Sequence, residues 1–335
     1  MLKRIIFAIL IFSTISFAGH KKLYAVVHVY QKMVVGGHNP SAGIFYSTNN
    51  GDTWEHLGWS NIIAYSLTID PGSNGKILYL AAGNGVLKSI DAGETWRIMT
   101  DWHETEISEV VIDPKNHNVL YIATPYGVFK STDAGWTWSK KNNGISPNQT
   151  GTTSSTFIGS ILIDKTNPDR LLIGTENGIY ESTDAGNNWK MFALNGRGVR
   201  ALVRNKGNLK FMIAGTENAG IFTSRDGGKT WNQASDGIDT LAIYTVGFDP
   251  HNEDIMYAGG FNTGFLKSTN GGKTWKSFAV GLTEKTLHGI AVDPDNPENI
   301  YVATIPGGVF RSTDAGKTWK YLTLDGAEVW SIMIH

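Results

Sequence analysis

Seven times along 335 residues the chain repeats one eight-residue turn, Ser-x-Asp/Asn-x-Gly-x-Thr-Trp, and no other feature narrows the possible folds so far. The copies begin at Ser47, Ser89, Ser131, Ser182, Ser224, Ser268 and Ser312, at intervals of 42, 42, 51, 42, 44 and 44 residues. Asn188 replaces the Thr once, and Asn49 and Asn270 replace the Asp. A period of this size holds one unit of four short strands. The third unit shows the layout: an inner strand over Glu106–Ile112, a turn at Asp113-Pro114-Lys115-Asn116, strands over Val119–Thr124 and Gly127–Ser131, the repeated turn, and an outer strand over Thr137–Lys141. Strands so close in sequence must run antiparallel, because parallel neighbours need long crossovers.

Seven such units predict an all-β, seven-bladed β-propeller of four-stranded antiparallel blades. The first unit opens on its second strand, Leu23–Tyr30, and lacks an inner one. After the last turn the segment 327–334, Ala-Glu-Val-Trp-Ser-Ile-Met-Ile, resembles the inner strands of other units. The C-terminal strand is therefore expected to complete blade 1, so that no strand edge is left unpaired at the seam.

The repeated turn reads as structural. Asn49, Asp91, Asp133, Asp184, Asp226, Asn270 and Asp314 can accept backbone N–H groups across their own turns, the Gly supplies a positive φ, and the Thr is expected to start the outer strand. Trp54, Trp96, Trp138, Trp189, Trp231, Trp275 and Trp319 are expected to wedge between neighbouring blades, each indole N–H finding a carbonyl.

Composition excludes several classes. There are no cysteines, which removes disulfides, thiol catalysis and Cys-ligated metals. Net charge is −1 without basic runs, which argues against a nucleic-acid partner. Residues 1–18 read as a cleaved signal peptide: Lys3-Arg4, an apolar run from Ile5 to Phe17, and Ser16-Phe17-Ala18 before Gly19. The run is too short for a span of about 20 residues. The expected product is a periplasmic or secreted monomeric propeller over residues 19–335, with no membrane span after cleavage.

The seven turns and the Asp-Pro turns (Asp113-Pro114, Asp249-Pro250, Asp293-Pro294) resemble the Asp-box, or BNR-repeat, propeller superfamily. That group includes sialidases, xyloglucan-active glycoside hydrolases, the sortilin luminal domain and photosystem II assembly and stability factors. A leader followed by a single ring is most similar in layout to the assembly-factor branch. The resemblance implies the fold and leaves function open. It implies a catalytic Asp near the first blade of xyloglucan hydrolases, but Val34–Pro40 has no carboxylate. It implies three arginines from separate blades in sialidases, whereas Arg197, Arg200 and Arg204, the ones expected to reach the face opposite the boxes, share one blade junction. Sialidase activity is not expected.

Connections between blades, and between second and third strands, should form the face opposite the boxes. Four tryptophans lie outside the repeat. Trp136 is within a box; Trp59, Trp102 and Trp330 fall at consecutive blade junctions. The loop from His28 to Gly43 and the insertion from Asn142 to Phe157 border the same arc. Trp59 and Trp102, with His103, Glu104 and Tyr126 as polar neighbours, make a candidate binding arc, against the alternative that Trp330 plugs the channel and the other two pack onto blades. Glu176 and Glu217 recur in Gly-Thr-Glu-Asn segments of adjacent blades and, with Arg197 and Arg200, belong near the channel. They are candidate binding residues or, more sharply, an acid–base pair; a duplicated unit that kept its loop is the plainer explanation. His28, His38, His103 and His288 are too scattered to predict a metal site, and no cofactor motif is present. The sequence favours a non-catalytic extracytoplasmic scaffold for a protein or glycan polymer, with a glycoside hydrolase or lectin as the alternative.

Overall fold

In the computed structural model, residues 21–30, 42–60, 62–145, 157–234, 237–324 and 326–335 are described. The expected leader, the region 34–40 and the centres of the two long loops lie outside them. The described strands form seven four-stranded antiparallel sheets arranged as a closed ring. Blade 1 closes as expected: Ala327–Ile334 pairs antiparallel with Leu23–Tyr30 from Leu23↔Ile334 to Tyr30↔Ala327. Lys22 and His335 exchange backbone hydrogen bonds of 2.8 and 2.9 Å at its end.

Blades 2 to 7 bury their second strands completely, as in Leu78–Ala82 and Leu120–Thr124, and blade 1 buries Leu23 to Val27 of its own. Such strands read as near-continuous apolar runs because adjacent blades cover both faces. The core is accordingly seven clusters, one per blade junction, and each holds one box tryptophan. Trp96 packs with Tyr24, Ile44 and Leu80 between blades 1 and 2, and Trp319 with Tyr257, Phe265 and Phe310 between blades 6 and 7. Trp54, Trp138, Trp189, Trp231 and Trp275 fill the other five. The indole N–H of Trp96, Trp231 and Trp275 donates to the box glycine carbonyl of its own turn, whereas Trp138 and Trp189 donate to Met99 and Lys141 of the preceding blade. A third-strand lysine adds a latch at some junctions, as where Lys130 Nζ donates to Ala185 O of the next box at 3.1 Å.

The box geometry is the same in all seven turns. In blade 3, Ser131 Oγ donates to Asp133 Oδ1 at 2.8 Å and accepts the Gly135 N–H at 2.9 Å; Asp133 then accepts both the N–H and the hydroxyl of Thr137. The Thr is thus spent on closing the turn rather than on starting the outer strand, which begins only at Ser139. In blade 2 the glycine is required twice over: Gly93 has φ 97°, and a Cβ there would come within 2.5 Å of Leu57 from the preceding blade. The inner strand of blade 3 is also shorter than expected, Glu109–Ile112, because Glu106 and Ile107 donate instead to Gly83 and Ala82 of blade 2. Its second strand starts at Leu120.

Two outcomes follow from this architecture. Deleting 327–335 strips the partner from Leu23–Tyr30 and should abolish cooperative thermal unfolding; a truncated chain melting as the intact one does would contradict ring closure. The Thr137 hydroxyl, together with the Thr137 N–H and Ser131, holds the Asp133 carboxyl down to about 2 despite slight burial. Its stabilising contribution is therefore full above the ordinary value of 3.8 and lost as pH falls toward about 2. Asn49 and Asn270 close the same turn with Oδ1 accepting the Thr N–H and Nδ2 donating to the Thr hydroxyl, so Asp133→Asn should leave Tm at pH 7 almost unchanged and blunt the acid limb. Asp133→Ala should lower Tm at neutral pH, as pH-dependent calorimetry will show.

Candidate binding site at the channel mouth

In every blade but the third, the inner strand opens at the face opposite the boxes with a β-bulge, a device that re-aims a side chain. Pairing skips Tyr65, Gly159, Arg200, Tyr244 and His288 in blades 2, 4, 5, 6 and 7. It skips Trp330 in the closing strand, and His28 opposite it. Ser108 holds the corresponding place in blade 3, one residue before the Glu109↔Ala123 pair. All seven inner-strand positions line one cavity of about 650 Å³ at the channel mouth.

The ring they form is lopsided. Tyr244, His288, Trp330 and Tyr65, with His28, make a continuous aromatic arc across blades 6, 7, 1 and 2. Centroid separations run 5.0 Å for Tyr244–His288, 4.6 Å for His288–Trp330, 5.2 Å for His28–Trp330 and 5.3 Å for Tyr65–Trp330. Blades 3 and 4 oppose the arc with only Ser108 and Gly159. Arg200 in blade 5 is ion-paired with Glu217 and stacks over Phe157 at 4.7 Å. Burial lowers the His288 imidazole to about 4, helped by the nearby charges of Arg200 and His28. Burial also lowers His28, against the pull of Glu328 Oε2 at 3.5 Å.

One residue deeper, the strands carry Ser66, Glu109, Ser160, Ala201, Thr245, Gly289 and Ser331, small or short everywhere except Glu109. The Glu109 side chain uses the room beside Ser108 and Gly159, and its Oε2 accepts the Ile161 N–H of blade 4 at 2.9 Å. Burial pushes this carboxyl up to about 7, only partly offset by that hydrogen bond.

The candidates read from the sequence divide into two groups. Glu176, Arg200 and Glu217 line a neighbouring cavity of about 210 Å³ that shares Phe157 and Arg200 with the channel. Trp330 faces the channel. Arg197 is exposed beside the small cavity without lining it. Trp59, 46% exposed, and Trp102, 79% exposed, stand outside both cavities, so the three surplus indoles do not share one surface. His103 stacks on Trp102 at 3.5 Å and its Nδ1 lies 2.9 Å from Asp101; Glu104 accepts the Asp101 N–H, and Tyr126 donates to Glu106. Arg204 departs from expectation. It sits at the box end of its strand, buried and paired with Asp164 at 2.7 Å, and so is remote from Arg200 along the strand. Among the described residues no cluster of three or more His, Asp or Glu could hold a metal.

Tyr65, Tyr244, Ser108, Gly159, Glu109 and Glu328 were not singled out from the sequence. The signal is there: Ala64-Tyr65-Ser66-Leu67, Val199-Arg200-Ala201-Leu202, Ile243-Tyr244-Thr245-Val246 and Val329-Trp330-Ser331-Ile332 share an apolar–variable–small–apolar pattern. Because the raised pKa of Glu109 means that its neutral form is favoured by folding, stability should be complete below about 4.5 and decline as pH rises through about 7. Glu109→Gln should raise Tm at pH 8 and leave it nearly unchanged at pH 4.5, flattening the profile between. An identical pH profile for both chains would refute the enclosed carboxyl.

The family model described as BNR/Asp-box repeat matches residues 45–56 and 222–233. No curated protein sequence matches the chain. Solved structures do. The GH74 xyloglucanase from Xanthomonas campestris is similar at 17% identity and TM-score 0.68, over 92% of this chain and 52% of that one. An ancestral GH74 enzyme is similar at 24% identity and TM-score 0.54, over 64% of this chain and 30% of that one. This chain therefore spans about half of the first enzyme's length and less of the second. YCF48 bound to a D1 peptide is similar at 18% identity and TM-score 0.58, over 79% of this chain and 83% of that one. At such identities the likeness shows the fold. The chain is thus a seven-bladed β-propeller, and two of its seven box turns fall within the residues that match the BNR/Asp-box repeat model.

Proposed function

We propose that the protein is an extracytoplasmic, non-catalytic binding scaffold that presents the face opposite its Asp boxes to a protein or polymer partner, after removal of residues 1–18. The observation that carries this reading is the exposure of large apolar side chains in neighbouring connections of blades 1, 2 and 3. Trp59 and Ile63 lie in the connection between blades 1 and 2, Trp102 in the next connection and Tyr126 on the adjoining turn, 44–79% exposed. Large apolar groups gathered outside a core mark interaction sites, and tryptophan and tyrosine are the usual anchors. A propeller of similar fold, YCF48, has been seen with a peptide bound, which supports a protein partner. The arc owes nothing to the repeat, whose own tryptophans are committed to the blade junctions.

A second reading, a glycoside hydrolase or lectin, is favoured by one observation: Glu176 and Glu217 line the same small cavity. Against hydrolysis, Glu217 is held by Arg200, which suits a fixed ion pair better than a proton-exchanging acid.

Peptide and glycan arrays with a panel of chromogenic glycosides separate the two. The scaffold reading expects array binding without turnover. Trp59→Ala/Trp102→Ala should weaken that binding about tenfold or more, as for truncated anchors, at unchanged Tm. Glycoside turnover lost in Glu217→Gln would overturn it, as would binding indifferent to both tryptophans.

A further inference from the structure

We propose that the channel mouth is a binding site for an organic ammonium cation, held between the aromatic arc of Tyr65, Trp330, His288 and Tyr244 and the carboxylate of Glu109. The residues differ from those of the outer arc, so the site stands or falls independently of the scaffold reading.

Three features of the cavity point to this ligand class. The first is the arc. Ring faces carry negative π-density, and a cation within about 6 Å of their centroids is attracted, more strongly when water is excluded. Four bulged positions in consecutive blades all bear rings, Tyr65 meeting Trp330 edge to face and the other two pairs tilted at 46° and 48°, and none of the four is fully buried in the blade cores. The two imidazoles of the arc are pushed toward their neutral forms by burial, so at pH 7 they act as further ring surface rather than as competing cations.

Second, the arc faces a carboxyl that the fold does not need. Six blades place Ser, Ala, Thr or Gly at the position of Glu109, which shows that the bulge tolerates and ordinarily uses a small residue there. Ser108 and Gly159 leave that wall open, and Glu109 is the one acid reaching into it from the inner strands of blades 3 and 4. An acid kept in a low-dielectric wall is costly to ionise unless a cation arrives to pair with it.

Third, the charge balance suits a cation and not an anion. Among the described lining residues the one guanidinium, Arg200, is already engaged by Glu217 and stacked on Phe157, and the acids of the lining are Glu109 and Glu328, the latter beside His28. An uncharged apolar ligand would strip water from Glu109 without replacing it. At about 650 Å³ the space suits a small organic cation or one extended basic side chain, within the roughly 300–1,000 Å³ usual for ligand sites.

Isothermal titration of the intact chain with choline, and with its uncharged isostere 3,3-dimethylbutanol, tests the charge requirement directly. Nα-acetyl-lysine methylamide, titrated alongside, distinguishes a free quaternary ammonium from the primary ammonium of a peptide side chain, and binding of either cation supports the site. Choline should bind at least about tenfold more tightly than dimethylbutanol. Its affinity should rise between pH 5.5 and pH 8.5 as Glu109 ionises. Glu109→Gln should weaken choline about tenfold at pH 8.5 and remove the pH dependence, while Tyr65→Leu, which keeps apolar bulk but loses the π face, should weaken it at both pH values. Equal binding of the isostere, no heat from either ammonium probe at millimolar concentration, or choline affinity untouched in folded Glu109→Gln would each overturn the proposal.

Discussion

An indole wedged into each blade junction is what allows seven separate sheets to become one body. A four-stranded sheet buries neither of its faces alone, and the box turn places a tryptophan where it covers the second strand of its own blade and the third strand of the one before. The turn can deliver the ring to that place because Ser, Asp or Asn, and Thr tie it shut with side-chain hydrogen bonds that need no help from the rest of the fold. Seven near-equal wedges set near-equal angles between blades, and the sum of those angles is what brings Ala327–Ile334 back beside Leu23–Tyr30. The seam is continuous with the rest of the core: Trp54 packs against a cluster drawn from both ends of the chain.

Once the ring is closed, the inner strands have one free direction, toward the channel, and the residue near the start of each, bulged in every blade but the third, decides what enters it. The residues that build blades and the residues that line the channel are therefore chosen almost independently. Apolar and small residues on either side of the bulge hold the strand to its neighbours, and the bulged residue itself can be Tyr, Gly, Arg, His or Trp without disturbing a blade. That freedom explains how a fold so repetitive in its turns can have a channel so uneven, aromatic on one side and nearly bare on the other, with a single acid at a depth where the other blades carry small residues.

The same division explains what could be read from the sequence. The Ser-to-Trp turn is local, its eight residues contiguous, and its recurrence fixed the blade count, the antiparallel layout and the closing strand down to the bounds Leu23–Tyr30 and 327–334. Thr137 was misread as a strand start because its bonds to Asp133 are invisible without geometry, and Arg204 was placed near Arg200 because a strand's two ends are only a few residues apart. The channel lining was mostly missed. Trp330, Arg200, Glu176 and Glu217 stood out as surplus to the repeat, but Tyr65, Tyr244 and Glu109 lie inside it, where strand alternation would aim them at neighbouring blades. A bulge turns the two tyrosines to the channel, and its trace in the sequence, a small residue after a variable one, is visible only when the blades are aligned on it.

Hydrogen exchange across the seam tests the closed ring most directly. The account predicts that amides of Leu23–Val27 and Val329–Ile334 are protected as strongly as those of the interior pair Ile243–Phe248 and Met256–Gly260, all opening only with global unfolding. Seam amides that exchange orders of magnitude faster while the interior blades stay protected would show a ring that is open where the chain ends meet.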